Sequence, residues 1–201
     1  MELRTLDNLY QEYPDLTNKI ILLRVDINSD VISTKKKKEK KKVIESERIK
    51  ASAKTINELL EKNAQIILLG HQGKPGKEDF TSLKKHAKYL NRYTKVKFIP
   101  DIFGKKTDKI LKKIEKQKED KKTENRKGKA ILLENVRNLE DEFSPEKENN
   151  KIIDFFKNKC DLYVNDAFSV CHRDQTSIVI GKKFPEKSYS GRLLDKEISA
   201  L

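Results

Sequence analysis

Short apolar runs along the chain are separated by longer segments whose apolar residues fall on one helical face. Five of these runs predict buried strands, because their aliphatic residues follow one another without the polar alternation of a half-exposed strand. The runs are residues 19–25, 65–69, 95–99, 130–133 and 160–164, and residues 177–180 are a weaker candidate for a sixth strand. None of these runs is long enough to cross a membrane.

The segments between the runs predict helices. Residues 48–62 place Ile49, Ala53, Ile56 and Leu59 on one face, the spacing of an amphipathic helix. Further helices are predicted from Thr81 or Ser82 to about residue 91, over residues 107–118, from Pro145 through the apolar residues near 152–156, and over residues 189–201. Strands that are apolar on both faces and alternate with helices indicate an α/β fold. We therefore expect a Rossmann-like three-layer sandwich with a mostly parallel sheet covered by helices on both faces.

Polar residues follow four of the predicted strands, at the sheet edge where parallel α/β folds bind their ligands. Asp26, Ile27 and Asn28 leave the first strand, His71, Gln72, Gly73 and Lys74 leave the second, Arg137 follows the fourth, and Asn165, Asp166, His172 and Arg173 follow the fifth. The second group lies in the stretch LLGHQGKPG, whose spacing and Pro75 exclude a Walker-type nucleotide loop. We call this set of strand ends the rim.

The rim residues suit a small, strongly anionic ligand. Arginine binds phosphate oxygens two at a time and lysine adds a point charge, so Lys74, Arg137 and Arg173 favour a phosphate. Asp26 and Asn28 add groups that recognise hydroxyls, which indicates a hydroxy-acid or sugar phosphate.

Ordinary structural roles remain open for each residue. Arg137 could pair with Glu134 or Asp141, Arg173 with Asp174, and Asp26 with Arg24, while Asn165 and Asp166 could cap the following turn. His86 is expected to be an exposed helix residue.

The net charge of +13 is concentrated in two segments. Residues 35–42 carry seven lysines and one glutamate, and residues 112–129 carry nine basic and four acidic residues. Lysine blocks without aromatic residues are typical of solvated loops and helix faces, so neither specific nucleic-acid binding nor membrane association is expected. A polyanion-binding or other non-catalytic anion-binding module is the alternative function. Two cysteines without a CxxC motif indicate no metal site, and a reduced, cytoplasmic protein is expected.

Several stretches resemble phosphoglycerate kinase. They include RVDIN (24–28), the segment ERIKASAKTINELLEKNAQIILLGHQGKPG (47–76), LLENVRN (132–138), YVNDAFSVCHRDQTSIVIG (163–181) and FPEKSYSGRLLDKEISAL (184–201). The resemblance is to the amino-terminal half of that family, in its archaeal branch, and extends nearly from end to end.

The resemblance implies a substrate-binding domain over residues 1–187 and the start of an interdomain hinge helix over residues 188–201. Asp26, Ile27 and Asn28 would hold the hydroxy-acid end of 3-phosphoglycerate. The 3-phosphate would be held by His71, Gln72, Gly73, Lys74, Arg137 and Arg173. Arg48 would lie near the substrate carboxylate and act catalytically by steadying the transferred phosphoryl group.

The family also implies functions that these residues do not supply. Its Mg-ATP or Mg-ADP binds to a second, nucleotide-binding domain, whose glycine-rich motifs are absent from this sequence. We therefore expect no nucleotide cofactor on this chain, no activity by the chain alone, and a requirement for the nucleotide domain in cis or as a separate chain. The ending within the resembled hinge helix favours a fragment over half of a split enzyme. The family usually has arginine where Lys74 stands, which predicts weaker substrate binding.

Overall fold

A computed structural model describes residues 3–34, 40–119 and 126–201. Its strands are β1 (Ile20–Val25), β2 (Val31–Thr34), β3 (Lys40–Val43), β4 (Gln65–Leu69), β5 (Val96–Phe98), β6 (Lys129–Leu132), β7 (Leu162–Asp166) and β8 (Ser188–Ser190). Its helices are α1 (Leu6–Glu12), α2 (Glu47–Glu61), α3 (Lys84–Leu90), α4 (Lys105–Glu119), α5 (Lys151–Phe156), α6 (Thr176–Val179) and α7 (Arg192–Ser199). Short 3-10 turns cover Val136–Asn138, Glu140–Phe143, Phe168–Val170 and Ile180–Lys183.

Six of the strands form one parallel sheet in the order β5-β6-β4-β1-β7-β8. Strand β1 lies in its interior, pairing with β4 on one side and β7 on the other, and all six of its residues are buried. The carboxyl ends of β4, β1 and β7 are therefore neighbours in space. This confirms the α/β architecture, and it brings the segments that carry most of the predicted rim to one edge.

Helices cover both faces of the sheet. Successive residues of β1 alternate between two apolar clusters, because neighbouring side chains of a strand point to opposite faces. Ile21 and Leu23 pack with residues such as Ile56 of α2 and Leu90 of α3, whereas Ile20 and Leu22 pack with residues that include Leu111 of α4 and Ile152 of α5. The three-layer arrangement expected from the sequence is thus present.

Two predicted elements are wrong. Residues 177–180 do not form the sixth strand, which is Ser188–Ser190; they belong to α6 and the 3-10 turn after it. The Ser177 N–H and hydroxyl both donate to the Glu142 carboxylate, at 2.9 and 2.7 Å, and these bonds to a residue 35 positions away hold the segment in a helical turn. Because Ser188–Ser190 form β8, the last helix begins at Arg192 and not at Tyr189.

Other boundaries moved for local reasons. The helix predicted from Pro145 begins at Lys151, where the Asn150 side chain caps it by accepting from the N–H groups of Ile152 and Ile153. Strand β3 begins within the segment expected to be a lysine loop, residues 35–42, and pairs antiparallel with β2, which ends just before that segment. Residues 35–39 of that segment lie outside the described residues. Among the described residues, no helix is both long and apolar enough to span a membrane.

Candidate anion-binding site

Gly73 joins three strand ends of the rim. Its backbone N–H donates to Asn28 Oδ1 at 2.9 Å, and its carbonyl oxygen accepts from Arg137 Nη1 at 2.5 Å. Its φ is +65°, and a Cβ at this position would lie 2.5 Å from the Asp79 carbonyl group. Glycine is therefore required here, because both the left-handed backbone and the close approach exclude a side chain.

Arg137 enters the site on the 3-10 turn after β6. Asn135 holds the turn by accepting from the Arg137 N–H, at 3.1 Å, and by donating its amide to the Gln72 carbonyl, at 2.8 Å. The Arg137 side chain is buried, yet its Nε and Nη2 have no hydrogen-bond partner among the described residues. Burial, together with the positive charges of Arg173 and Arg24, lowers the pKa of Arg137 to about 10. A buried guanidinium with two unused donors is a strong candidate to bind an anion.

His71 lies at the centre of the cationic groups. It is buried, and its pKa is far below the usual range because burial and the charges of surrounding guanidinium groups both oppose protonation. Those charges belong to Arg24, Arg137, Arg173 and Arg48. Four arginines from four separate segments thus act on one imidazole. Arg48, Arg137 and Arg173 are among the predicted site residues, whereas Arg24 is not.

Asp26, Asn28 and Arg48 form the other side of the site. Arg48 Nη1 lies 3.5 Å from Asp26 Oδ1 and 3.4 Å from Ser169 Oγ. The Arg48 side chain remains about half exposed, whereas Asp26 is buried. Arg48 therefore makes only long contacts with the protein, which leaves its guanidinium available to a ligand.

Lys74 and Arg173 are the solvent-exposed members of the predicted cationic set. Both are exposed, as is His172 beside Arg173. Lys74 follows Gly73 directly, so the loop that ties the strand ends also carries this ammonium group.

Two residues of the predicted site face the protein. Ile27 is fully buried and packs against Gly70. The Gln72 amide is used entirely by protein groups: it accepts from the Ser29 N–H and pairs with His86 Nε2, and it donates to the Ser29 and Asp79 carbonyls. The prediction that these side chains touch the ligand does not fit the structure, because their polar or apolar surface is already covered.

His86 is not the exposed helix residue that the sequence suggested. It is fully buried, and its Nε2 lies 2.9 Å from Gln72 Oε1. Burial lowers the pKa of His86 to about 4, so the imidazole is neutral at physiological pH. The residue supports the Gln72 contacts and thereby the loop that carries His71 and Gly73.

The alternative ion pairs of Arg137 and of Arg24 are absent from the described part of the chain. Glu134 accepts from the Ser82 hydroxyl and the Leu83 N–H, and Asp141 pairs with Lys147, so neither of them holds Arg137. The hydrogen bonds of Arg24 go to Ser177, Val25 and His71 and not to Asp26. Arg137 thus pairs with neither Glu134 nor Asp141, and its Nε and Nη2 have no partner among the described residues.

The capping role considered for the end of β7 is present. Asn165 Oδ1 accepts from the Ala167 N–H at 3.0 Å. Asp166 reaches further: its Oδ1 accepts from the N–H groups of Leu193 and Leu194, at 2.8 and 3.2 Å. The strand end beside the site is therefore hydrogen-bonded to the first turn of α7.

Asp166→Asn is expected to change the pH dependence of stability. Burial, with a further contribution from the charge of Asp26, raises the pKa of Asp166 to about 7. The folded state therefore favours the protonated acid, and the wild type loses stability as pH rises from about 4 to about 7. Asparagine stays neutral and still accepts both N–H groups, so urea unfolding should show the variant gaining about 2–4 kcal/mol relative to the wild type over this range. Asp174→Asn, at an exposed position, is the control, and an equal gain in both variants would contradict the assignment.

Sequence reasoning missed the residues that support the site from below. From the sequence, Arg24 is expected only as a partner for Asp26, and nothing in the local pattern around Glu142 or Ser177 indicates a supporting role. A detectable signal did exist, because Arg24 is the one charged residue inside the apolar run 20–25. A charge in a buried strand requires buried partners, although the sequence does not say which residues provide them.

A cavity of about 1010 Å³ lies elsewhere in the molecule. It is lined by residues at the amino ends of β4, β5 and β6, including Ile66, Val96 and Lys129. None of the predicted site residues lines it. This cavity is therefore separate from the predicted site, and its volume does not change the assignment of that site to the rim.

The sheet and its rim define an α/β domain of the class that gathers cationic side chains at the carboxyl ends of parallel strands. The phosphoglycerate kinase family model matches residues 11–201, and the chain belongs to this family. It is 37% identical over 193 residues to phosphoglycerate kinase from Sulfurisphaera tokodaii and 39% identical over 193 residues to that from Sulfolobus acidocaldarius. Each alignment covers 93% of this chain and 42% of the relative.

The solved structures agree. Phosphoglycerate kinase from Pyrococcus horikoshii OT3 matches with a TM-score of 0.73 and 31% identity, over 99% of this chain and 44% of that protein. The enzyme from Coxiella burnetii matches with a TM-score of 0.68 and 26% identity, over 99% of this chain and 44% of its own. The chain thus spans less than half the length of the relatives it matches.

Proposed function

We propose that this chain is the substrate-binding part of a phosphoglycerate kinase and that it binds 3-phosphoglycerate at the rim. The observation that carries the proposal is the buried Arg137 guanidinium, whose Nε and Nη2 have no partner among the described residues. Such donors lose free energy on burial unless an acceptor reaches them, and a phosphate offers oxygens in the geometry of the guanidinium. Membership of the family supports the choice of a phosphorylated acid.

The polar groups divide between the two ends of such a ligand. We assign the 3-phosphate to His71, Lys74, Arg137 and Arg173, with the Gly73 backbone close to it. Asp26 and Asn28 face the hydroxyl-bearing end, and Arg48 is the residue we expect to steady the phosphoryl group as it is transferred. Gln72 and Ile27 then act by holding the loops and not by touching the ligand.

The complete reaction would be ATP + 3-phosphoglycerate = ADP + 1,3-bisphosphoglycerate, in glycolysis or gluconeogenesis in the cytoplasm. A Mg-nucleotide does not fit the residues at this rim. Mg²⁺ binds through carboxylate and phosphate oxygens, whereas the rim presents mainly guanidinium, ammonium and imidazole donors, and Asp26 already faces Arg48. We therefore propose that the nucleotide is held by residues beyond these 201, in cis or on a second chain. In this proposal residues 1–187 form the substrate domain and residues 188–201 begin the hinge helix.

Calorimetry with the isolated chain tests the substrate. We expect 3-phosphoglycerate to bind more tightly than inorganic phosphate, because only the former reaches both ends of the rim. Replacing the exposed Lys41 and Lys42 of β3 by serine removes two positive charges outside the rim and should leave the affinity unchanged. A folded chain that shows no heat of binding, or binding that disappears with these two lysines, would favour the polyanion-binding alternative.

Lys74→Arg is expected to tighten binding. A guanidinium offers two parallel donors to a phosphate where the ammonium offers a point charge, and this difference corresponds to roughly 3- to 10-fold in the dissociation constant. Calorimetry with 3-phosphoglycerate measures it. Lys77→Arg, at an exposed position in the same segment, is the matched control and should change nothing. Equal affinities of the Lys74→Arg variant and the wild type would place Lys74 outside the phosphate contacts.

A further inference from the structure

Four polar side chains form a buried chain of hydrogen bonds beneath the rim: Glu142, Ser177, Arg24 and His71. Glu142, Ser177 and Arg24 have no exposed surface, and His71 is only 3% exposed. Glu142 Oε1 lies 2.7 Å from Ser177 Oγ, Ser177 Oγ lies 2.8 Å from Arg24 Nε, and Arg24 Nη2 lies 2.8 Å from His71 Nδ1. This series of hydrogen bonds extends from the 3-10 turn Glu140–Phe143 through α6 and β1 to the loop after β4.

The direction of each hydrogen bond follows from the chemistry of arginine. A guanidinium has only N–H donors and does not lose its proton in proteins. His71 Nδ1 must therefore accept the hydrogen bond from Arg24 Nη2, so it carries no hydrogen. The ring hydrogen of a neutral His71 is then on Nε2, which has no hydrogen-bond partner among the described residues.

The other hydrogen bonds of this series fix the Arg24 side chain in this orientation. Ser177 Oγ accepts from Arg24 Nε, so its own hydrogen is directed to Glu142. Glu142 Oε2 also accepts from the Ser177 backbone N–H, at 2.9 Å, which fixes the serine. The remaining Arg24 contact, from Nη1 to the Val25 carbonyl oxygen at 2.5 Å, holds the guanidinium against its own strand. Each Arg24 nitrogen thus has an acceptor, and rotation of the group would break several bonds at once.

A second proton on His71 would have to be placed on Nδ1, directly against a donor of Arg24. The charged groups that act on His71 are Arg24 of β1, Arg48 of α2, Arg137 after β6 and Arg173 after β7. The acidic groups Glu142 and Asp26 act on Arg24. Those that act on His71 directly are positive. The imidazole therefore stays neutral and still has one hydrogen to donate.

We propose that Glu142, Ser177 and Arg24 are positioning residues that hold His71 as a neutral Nε2–H donor for an anionic oxygen of the ligand. His71 then contributes a fixed hydrogen bond to the rim but no charge, and the positive charge comes from the arginines and Lys74. This inference rests on the proposed function only in naming the ligand as a phosphate-bearing acid. The protonation state of His71 is a property of the ligand-free chain.

Nuclear magnetic resonance of the chain with ¹⁵N-labelled histidine tests the proposal without any ligand. The chain has three histidines, so His71 can be assigned by replacing His86 and His172 one at a time. We expect His71 to keep one protonated nitrogen, Nε2, between about pH 5 and pH 8, the range in which free histidine added as a reference titrates. A second proton on His71 in this range, or a proton on Nδ1, would overturn the proposal, and the wild type alone decides this.

Ser177→Ala tests the supporting residues. Without the hydroxyl, Arg24 loses one of its acceptors and Glu142 one of its donors, so we expect signals of the second His71 tautomer to appear. Binding of 3-phosphoglycerate should weaken roughly 3- to 10-fold, the effect of one misplaced hydrogen bond. Ser190→Ala, another buried serine with a hydroxyl bonded to the Arg4 carbonyl, is the matched control and should change neither measurement.

The outcomes separate this inference from the proposed function. An unchanged His71 spectrum and unchanged affinity in a folded Ser177→Ala variant would overturn the role of Ser177 and Glu142. If the wild-type His71 is the neutral Nε2–H form but the chain binds no 3-phosphoglycerate, the positioning stands and the proposed substrate fails. If the chain binds 3-phosphoglycerate but His71 takes up a second proton, the substrate stands and the positioning fails.

Discussion

Arg137→Met is expected to weaken the binding of 3-phosphoglycerate by at least about 100-fold, because it removes two charge-assisted donors that contribute roughly 1.5–3 kcal/mol each. Methionine keeps much of the apolar volume of the side chain, so the variant tests the donors more than the packing. The measurement is calorimetry at fixed salt, since part of the effect is electrostatic.

Arg137→Met also removes the hydrogen bond to the Gly73 carbonyl, so its fold must be verified by urea unfolding before the affinity is interpreted. Arg92→Met is the matched control, because it removes a guanidinium that pairs with Glu45 at the surface. A similar loss of affinity in both variants would show that net charge governs binding. A folded Arg137→Met chain with wild-type affinity would exclude the rim as the phosphate site.

Gly73→Ala should lower the free energy of unfolding by about 2–5 kcal/mol. The left-handed backbone at φ +65° costs an alanine about 1–2 kcal/mol, and a methyl group 2.5 Å from the Asp79 carbonyl adds an overpacking cost of about 1–3 kcal/mol. Urea denaturation with an unchanged slope measures the loss. Displacement of the loop should also move the carbonyl that accepts from Arg137, so 3-phosphoglycerate affinity is expected to fall in the same variant.

Gly76 provides the matched control for this prediction. Its φ is +79°, so alanine there meets a similar backbone cost, but nothing lies within 4 Å of the added Cβ. Gly76→Ala should therefore cost only about 1–2 kcal/mol and leave the site intact. Equal losses at the two positions would mean that the contact with Asp79 relaxes at little cost and that Gly73 is not needed for close approach.

The sequence was sufficient to predict five of the six strands of the parallel sheet and the edge at which their polar residues lie. The apolar runs at residues 20–25 and 65–69 belong to the two strands most deeply buried, and such runs have few alternative structures once helices separate them. Because parallel strands share one carboxyl edge, Asp26, His71 and Arg137 could be placed together without coordinates. In the structure Asn28 and Arg137 both bond to the Gly73 backbone, so the segments that follow β1, β4 and β6 lie together.

The direction of side chains could not be predicted. Gln72 and His71 are neighbours on the same loop, yet one bonds to His86 and Ser29 while the other reaches Arg24. These pairings join residues that are 14 to 47 positions apart, and no local pattern encodes them. The error at residues 177–180 has the same origin, because a serine followed by three aliphatic residues is ambiguous until the partners of Ser177 are known.

The cross-links at Gly73 have a consequence for the thermodynamics of recognition. Asn28 and Arg137 hold its N–H and carbonyl in the folded chain itself, so the conformational entropy of this loop is lost during folding and not when the ligand arrives. Association should therefore resemble the docking of a ligand onto a rigid cradle, with little ordering of backbone. Hydrogen exchange of the Gly73 amide should be slow before the ligand is added and should change little afterwards.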